Sequence, residues 1–388
     1  MNTSNLLQYI YENRCTILGV GPVSKNCVDA VIELSQEFDI PIILIASRNQ
    51  IDSEEFGGGY VNKWTTQTFS SYVREKDKSG NIFLARDHGG PWQNKSEKEN
   101  GLNLEEAMES AKRSYKADID AGFDILHIDP SIDIHENPTV DNILERVFEL
   151  YKFCIEYSAQ SNKRVLFEIG TEEQSGLLNT SEDLRYVLKM VKSYCEKNKF
   201  EEPSFVVVQT GTKVKEMENI GRFEKLITNE NAESDLKKNV ADTVSICNQA
   251  DVMMKVHNMD YLSHQALDMH ASMGIHAANV APEFGVTETK ALLTLLHDHS
   301  MTELADQFLE LSYKSGKWGK WMHENTEASD YDRSIISGHY VFATDECNQI
   351  KKEAENKLKS KNIELEEHLK KAVKQQIIRY LKGFRIVQ

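Results

Sequence analysis

The chain has 388 residues, of which 40% are hydrophobic and 27% are charged, and its formal net charge at pH 7 is −16. This composition is ordinary for a soluble globular protein. The negative charge argues against nonspecific binding to nucleic acid or to an anionic membrane, because the summed field repels polyanions. A phosphorylated substrate is still compatible with it, since such a substrate needs only a local basic or amide-rich pocket.

The cysteines and the N-terminal residues indicate a reducing compartment. Six cysteines are scattered along the chain without Cys-x-x-Cys spacing, so we expect reduced, buried thiols rather than disulfides or a zinc site. The first residues, up to Asn13, lack the apolar core of a signal peptide. No run approaches the ~20 apolar residues of a membrane span. We therefore expect a cytoplasmic protein.

Eight short apolar runs recur along the chain, and segments with amphipathic helical periodicity fill most of the gaps between them. Strict alternation of strand and helix predicts a parallel sheet. Eight such units predict an α/β fold of the (β/α)8 or TIM-barrel type, whose chemistry lies at the carboxyl ends of the strands. The predicted strands are Thr16–Gly21, Pro41–Ala46, Asn81–Ala85, Phe123–Ile128, Arg164–Ile169, Ser204–Val208, Asp251–Val256 and Ile275–Val280.

Three other segments shape the predicted organisation. The glycine-rich segment from Gly57 to Gln67 is too long for a simple turn, which predicts a loop over the barrel mouth. Residues 222–240 are charged and weakly periodic, which predicts an elaborated loop. The pattern changes near Thr326, where irregular residues 331–343 precede a helical, Lys/Glu-rich tail. We therefore divide the chain into a barrel domain, residues 1–325, and a C-terminal helical extension, residues 326–388.

Strands three and seven end in histidines. Asp87 and His88 follow strand three, where an imidazole can bind a metal while the acid moves a proton. A hydrogen-bonded loop pair before Gly89-Gly90-Pro91 explains this dipeptide equally well. His257 follows strand seven, and two imidazoles projecting into one barrel mouth favour a divalent-cation site.

The remaining strand ends offer further polar groups. Glu168 ends strand five and is a candidate third ligand or base, and Asp129 after strand four is a site residue of unassigned role. His127 lies within strand four, where a histidine is more often a satisfied interior residue. Neutral donors and acceptors and one lysine, which suit hydroxyls or a phosphate, follow strand six: Gln209, Thr210 and Lys213. The chain has no dinucleotide fingerprint, P-loop or nucleophile elbow.

Five motif segments follow one another in the order found in a known family. They read S-R-N-Q with F-G-G-G-Y (residues 47–50 and 56–60), D-H-G-G-P (87–91), H-I-D (127–129), I-G-T-E (169–172) and V-V-Q (207–209). Together they resemble the class II tagatose-bisphosphate aldolase subunits called GatZ and KbaZ. The resemblance covers about residues 16 to 285 and implies a barrel related to metal-dependent class II aldolases.

The resemblance also implies roles for individual residues. Asp87 becomes the acid/base, and His88 and His257 become metal ligands. The family has another ligand histidine after strand six, where this chain has Gln209, so Glu168 or Gln209 would complete the ligand set.

The remaining expectations concern the phosphate loop, the second acid/base and the residues that contact the substrate. The family's glycine–serine phosphate loop is replaced here by Asn258-Met259-Asp260. We expect Glu172 or Asp129 as the second acid/base. The residues expected to contact the substrate are Ser47, Asn49, Gln50, Gly58, Thr210, Lys213, Asn258, Asp260 and Asn279.

Two functions compete at this point. The first is reversible aldol chemistry on a ketose or ketose phosphate, by an aldolase or a 4-epimerase that uses a divalent metal. Zinc is the expected metal, with Mn, Co and Ni as alternatives. The second is a non-catalytic subunit that stabilises a separate aldolase subunit. We also expect a homo-oligomer.

Overall fold

The computed structural model describes residues 1–170, 180–226 and 230–388. Eight parallel strands close a barrel in which each strand pairs with its neighbours in the chain and the first pairs with the last. The predicted (β/α)8 barrel is therefore confirmed. The barrel strands are β1 (Ile17–Val20), β2 (Ile42–Ser47), β3 (Ile82–Gly89), β4 (Ile125–Ile128), β5 (Leu166–Ile169), β6 (Phe205–Val207), β7 (Met253–Val256) and β8 (Ala277–Val280).

Helices surround the barrel, and a small hairpin of Val214–Lys215 and Glu218–Asn219 follows β6. Within the described ranges, no helix has both the length and the apolar character needed to cross a bilayer. All six cysteines are buried and unpaired. The helices are α1 (Thr3–Asn13), α2 (Lys25–Phe38), α3 (Thr66–Lys76), α4 (Lys95–Glu99), α5 (Leu104–Ala121), α6 (Val140–Gln160), α7 (Ser181–Asn198), α8 (Arg222–Leu226), α9 (Glu230–Gln249), α10 (His264–Ser272), α11 (Pro282–Asp298), α12 (Thr302–Lys314), α13 (Asp330–Ser337), α14 (Asp345–Leu358) and α15 (Leu365–Gly383).

Two segments predicted to be irregular are helical. Residues 222–240, predicted to form a loop, contain α8 and much of α9. The buried side of α9 carries Leu236, Val240 and Val244 at helical spacing among many charges. Residues 331–343 contain most of α13, whose start is fixed by a capping box between Ser329 and Asp332. In both cases the apolar stripe is too narrow to stand out in the sequence.

The barrel interior has an apolar end and a polar end. Inward side chains such as Ile125, Leu166 and Met253 fill the amino-terminal end, which α1 covers with Leu6 and Ile10. Because alternate residues of a strand face the same side, the inward positions two residues further along carry polar groups. Those groups form the floor of the candidate site.

The C-terminal extension packs on the barrel. Helix α15 lies against α2, α10 and α11, and its Val373, Ile377 and Tyr380 join the same apolar core as the barrel strands and helices. Helices α11, α12 and α14 share a second core that contains Leu293, Phe308 and other buried residues. The domain boundary after residue 325 stays a prediction.

Candidate metal-binding active site

A β-bulge at the end of β3 brings two neighbouring residues to the site. The pairing of β3 with β4 shifts between Arg86 and Gly89, and His88 has a left-handed backbone with φ of +46°. Neighbouring strand residues normally face opposite sides, and a bulge re-aims one of them. Asp87 and His88 therefore both line the barrel mouth.

Three histidines from three strands meet at this end of the barrel. His88 and His257 approach to 3.0 Å between Nε2 and Nδ1, and His127 completes the group. The ring centroids are 4.7 Å apart for His88 and His257, 5.1 Å for His88 and His127, and 5.5 Å for His127 and His257. The structure thus brings together the two predicted metal ligands and adds a third imidazole.

Each of these rings has a partner that orients it. His88 Nδ1 shares a 2.6 Å hydrogen bond with Asp129 Oδ2, and the His88 backbone N–H donates to His127 Nδ1 at 3.2 Å. Ser131 Oγ and Gln93 Nε2 donate to the same Asp129 carboxylate. Asp129 thereby fixes the orientation of the His88 ring, as carboxylates do for metal-binding histidines, and its predicted role as an acid/base stays a prediction.

A buried ion pair lies beneath the histidines. Lys255 Nζ donates to Glu168 Oε2 at 2.6 Å, and both side chains are at most 3% exposed. The other oxygen, Glu168 Oε1, lies 3.6 Å from His257 Nε2 and 3.6 Å from His127 Nδ1. The Lys255 ammonium holds Glu168 as a carboxylate, because it offsets the cost of burying the charge. Burial opposes the ionisation, and the Lys255 charge still lowers the Glu168 pKa well below its usual range.

The charges around the rings make them differ in proton affinity. Burial opposes protonation of His88, but Asp87 and Asp129 raise its pKa to about 9. Burial lowers the pKa of His127 to about 4 and also lowers that of His257. A proton is therefore held more tightly at His88 than at His127 or His257. A metal would compete with that proton, since ligand histidines bind in the neutral form.

The donor set fits a divalent cation. His127 Nε2, His257 Nε2 and Glu168 Oε1 are buried and make no hydrogen bond among the described residues. Buried polar atoms are normally paired, so three unpaired atoms in one cluster are unusual and fit a site for a cation. Because His127 Nδ1 accepts from the His88 backbone N–H, the proton of the neutral His127 ring lies on Nε2, and that nitrogen would have to lose it to bind a metal. Potential ligand atoms lie within 4.8 Å of one another in three described groups: Asp87–His88–His257, His88–His127–Asp129 and His127–Glu168–His257. Mixed imidazole and carboxylate ligands suit Zn and neighbouring transition metals.

Two glycines make room for this arrangement. A Cβ at Gly170 would lie 2.4 Å from His127 Nε2, and one at Gly19 would lie 2.4 Å from Asn279 Oδ1. Asn279 in turn donates from Nδ2 to Asp87 Oδ1 at 3.0 Å. A side chain at either glycine would displace a polar group of the site.

A cavity of about 770 Å³ opens above Asp87, His88 and His257, a size common for small-molecule sites. Seven of the nine predicted substrate contacts line it: Ser47, Asn49, Gln50, Gly58, Asn258, Asp260 and Asn279. Thr210 and Lys213 are outside this described lining, and the substrate-binding roles of all nine stay predictions.

Some of these residues also hold the loops in place. Asn49 donates to the Gln93 carbonyl and accepts from the Lys95 backbone N–H, both at 3.0 Å. Asp260 Oδ1 accepts from the backbone N–H groups of Ala281 and Glu283, at 3.0 and 2.9 Å, and so caps the start of α11. These hydrogen bonds explain why Asn49 and Asp260 are polar without any contact to a substrate.

Two predicted residues need separate mention. Glu172 lies outside the described residues. Gln209 is buried in the loop after β6, and its role as a ligand stays a prediction.

Sequence reasoning missed His127, Lys255 and His339. His127 and Lys255 lie two residues beyond the interior apolar residues Ile125 and Met253, so their inward orientation follows from strand periodicity. His339, from the C-terminal extension, lines the cavity, and no local pattern signals that contact.

Comparison with known proteins places these observations in a family. Residues 6–334 match the model of the family described as D-tagatose-1,6-bisphosphate aldolase subunit GatZ/KbaZ-like. A solved structure of a probable tagatose 6-phosphate kinase from Sinorhizobium meliloti 1021 is 17% identical, with a TM-score of 0.71 over 95% of this chain and 100% of that chain.

Two further solved structures share the fold. The fructuronate-tagaturonate epimerase UxaE from Cohnella laeviribosi is 11% identical, with a TM-score of 0.57 over 96% of this chain and 82% of that chain. The fructose-bisphosphate aldolase of Campylobacter jejuni is 12% identical, with a TM-score of 0.53 over 98% and 92%. At these identities the likeness extends to the fold alone. The family match covers most of the chain, and this chain therefore belongs to the D-tagatose-1,6-bisphosphate aldolase subunit GatZ/KbaZ-like family.

Proposed function

We propose that this protein is a metal-dependent enzyme that makes and breaks a carbon–carbon bond in a ketose or ketose phosphate. The observation that carries the proposal is the group of His127, Glu168 and His257, whose potential ligand atoms lie within 4.8 Å of one another, with the His88 ring beside it. The family description, which names an aldolase subunit, supports the same chemistry.

His88, His257 and Glu168 would hold the divalent cation, with His127 as a further donor. Once bound, the cation supplies Lewis acidity at the ketose carbonyl. Asp129 orients His88, and Lys255 keeps Glu168 ionised. The protein thus presents a rigid, mostly buried ligand set, which limits the reorganisation needed when the substrate reacts.

Asp87 is the proposed acid/base. It faces the cavity, and its Oδ1 lies 3.9 Å from His88 Nε2 and 3.8 Å from His257 Nε2. In the cleavage direction Asp87 accepts the proton of the C4 hydroxyl. The C3–C4 electron pair then moves toward the carbonyl oxygen, and the aldehyde separates. For an aldolase, the aldehyde is released and an acid returns a proton to C3 of the remaining enediolate. For a 4-epimerase, the aldehyde rotates and the C3–C4 bond forms again, and Asp87 returns its proton to the new C4 oxygen. Glu172 or Asp129 stays the predicted second acid/base.

The test combines metal content with turnover. The purified full-length chain should bind a stoichiometric divalent metal and turn over fructose 6-phosphate or fructose 1,6-bisphosphate. His257→Ala should lose both metal and turnover. Asp87→Asn should keep the metal and lose turnover by a factor on the order of 10²–10⁴, as expected for general acid–base catalysis. His297→Ala, which changes an exposed histidine on α11, is the matched control.

A second candidate function is that of a non-catalytic partner. The word subunit in the family description favours it. A chain that binds no metal, shows no turnover alone and raises the activity or stability of a separate aldolase subunit would establish that role and refute the enzyme proposal.

One outcome of the metal measurement concerns Asp87 alone. If Asp87→Asn loses the metal, Asp87 is a metal ligand and not the acid/base.

A further inference from the structure

Four lysines gather on one side of the cavity entrance, although the chain as a whole carries a net charge of −16. They are Lys95 and Lys98 of α4 and Lys317 and Lys320 near the end of the barrel domain. We call these four residues the lysine rim. Lys95 pairs with Glu99 at 2.8 Å. Within the described parts of the chain, Lys98, Lys317 and Lys320 form no ion pair, although Glu97 partly offsets the lowered pKa of Lys98 and Glu99, which also lines the cavity, partly offsets that of Lys317.

The first half of the lysine rim is anchored by buried interactions. Glu97 of α4 forms a 2.6 Å ion pair with Arg48, and both side chains are at most 2% exposed. Arg48 also pairs with Asp52 at 2.9 Å. Arg48 is therefore neutralised by two acids, and its role is to hold α4 at the cavity rather than to bind an anion.

The second half of the lysine rim is anchored by the hairpin after β6. Lys215 Nζ donates to the carbonyls of Lys320 and Met322, both at 3.0 Å, and the Glu216 backbone N–H donates to the Trp321 carbonyl at 2.7 Å. Lys320 Nζ also lies 4.5 Å from the centroid of the Trp321 ring, a favourable cation–π distance. Two separate segments of the chain are thus fixed so that their lysines face one space.

The ammonium groups of the lysine rim disfavour one another. Partial burial at the cavity entrance, and then the Lys320 charge, lower the pKa of Lys98. Desolvation, and then the charges of Lys95 and Lys320, lower the pKa of Lys317. An anion placed among these groups would relieve this repulsion, because opposite charge stabilises the ionised lysines.

We propose that the lysine rim binds a terminal phosphate group of the sugar whose reacting carbons lie at the histidine cluster. A phosphate monoester carries close to two negative charges and three acceptor oxygens at pH 7, which suits several ammonium groups. A carboxylate carries one charge and is better matched by a single planar arginine. The proposal rests on the proposed function only for the placement of the reacting carbons. The family description already names a phosphorylated ketose, and the proposal adds the residues that would bind its phosphate.

The experiment measures binding, so it does not depend on turnover. Fructose 6-phosphate, fructose and fructuronate are titrated into the metal-loaded full-length protein by calorimetry. The test variant is Lys98→Gln with Lys320→Gln. The control is Lys189→Gln with Lys192→Gln, which removes the same charge from exposed positions on α7. We expect at least tenfold weaker binding of fructose 6-phosphate by the test variant, no change for the control, and no change for fructose.

Three results would overturn the proposal. In the first, the wild type binds fructose 6-phosphate no better than fructose. In the second, the test and control variants lose the same affinity for fructose 6-phosphate. In the third, the wild type binds fructuronate better than fructose 6-phosphate. The last result would assign the lysine rim to a sugar acid. If the protein binds fructose 6-phosphate through its phosphate but shows no turnover, the proposed aldol chemistry is refuted and the phosphate-binding role of the lysine rim is kept. If turnover is the same in the wild type and in the test variant, the role of the lysine rim is refuted and the aldol chemistry is kept.

Discussion

The inner and outer ends of the cavity are built from opposite kinds of side chain. At the inner end, His127, Glu168 and Lys255 are almost completely buried and are held by strands. At the outer end, the lysine rim is exposed and is carried by a five-residue helix and a short turn. Among the described residues, the inner end has buried polar atoms without hydrogen-bond partners, whereas the outer end has four ammonium groups.

Because the inner residues are buried and the outer lysines are exposed, substitutions at the inner end should affect stability and metal binding, and substitutions at the outer end should affect ligand affinity. A buried charge must be compensated inside the protein, so loss of one inner partner should be costly. An exposed lysine is screened by water, so its loss should change ligand affinity and leave the fold intact. Substitutions at the two ends should therefore differ in kind as well as in size.

The largest effect is expected from Lys255→Met. The substitution removes the Lys255 ammonium and leaves the Glu168 carboxylate buried without its partner at 2.6 Å. Breaking a buried ion pair in this way typically lowers the free energy of unfolding by about 3–5 kcal/mol. Urea unfolding with a chelator present measures this cost. Added Zn²⁺ should recover part of it, because a cation beside Glu168 replaces the missing charge.

The control for this prediction is the double variant Lys255→Met with Glu168→Gln. Removing the charge together with its partner should restore most of the lost free energy of unfolding. If the single and double variants unfold at the same urea concentration, the ion pair does not govern stability at the inner end.

The next effect concerns metal affinity. In Gly170→Ala the new Cβ would lie 2.4 Å from His127 Nε2, so the ring must move. If His127 is a ligand, metal affinity should fall by about 10–100-fold, the range seen when ligand support is lost. Competition with a chromogenic chelator measures it. Gly319→Ala, whose Cβ would meet nothing within 4 Å, is the control, and equal affinity in both variants would exclude His127 from the ligand set.

The inner end could be predicted from the sequence better than the outer end. Strand alternation placed Asp87, His88, Glu168 and His257 at one end of a barrel, because parallel strands share a direction. The same periodicity applied to Met253 and His257 would have placed Lys255 on the inward face between them. His127 was misjudged because its environment depends on residues from other strands.

The outer end depends on contacts that no local pattern encodes. Lys98 and Lys320 are more than two hundred residues apart, and they meet only because α4 and the 319–321 turn are anchored by Arg48 and Lys215. The bulge that turns His88 into the cavity is equally hidden, since it depends on the pairing of β3 with β4.

The smallest effect lies between the two ends, at Asp260. Burial, and then the Glu283 carboxylate, raise the pKa of Asp260 to about 7, against 3.8 for the unperturbed group. The folded state therefore holds more protons than the unfolded state between pH 4 and 7. The stability that protonated Asp260 contributes is complete below this window and is lost as the pH rises through 7.

Asp260→Asn should remove this pH dependence. The amide keeps an oxygen that can accept from Ala281 and Glu283, so the cap on α11 survives. Thermal unfolding with a chelator present should show the variant gaining stability over wild type between pH 5 and pH 8, on the order of 1–3 kcal/mol. Asp242→Asn, at an exposed position of α9, should track the wild type at every pH. If the stability of Asp260→Asn and of the wild type changes with pH in the same way, Asp260 is already ionised at pH 5. Asp260 would then be a charged group throughout this pH range and would not contribute to the pH dependence of stability.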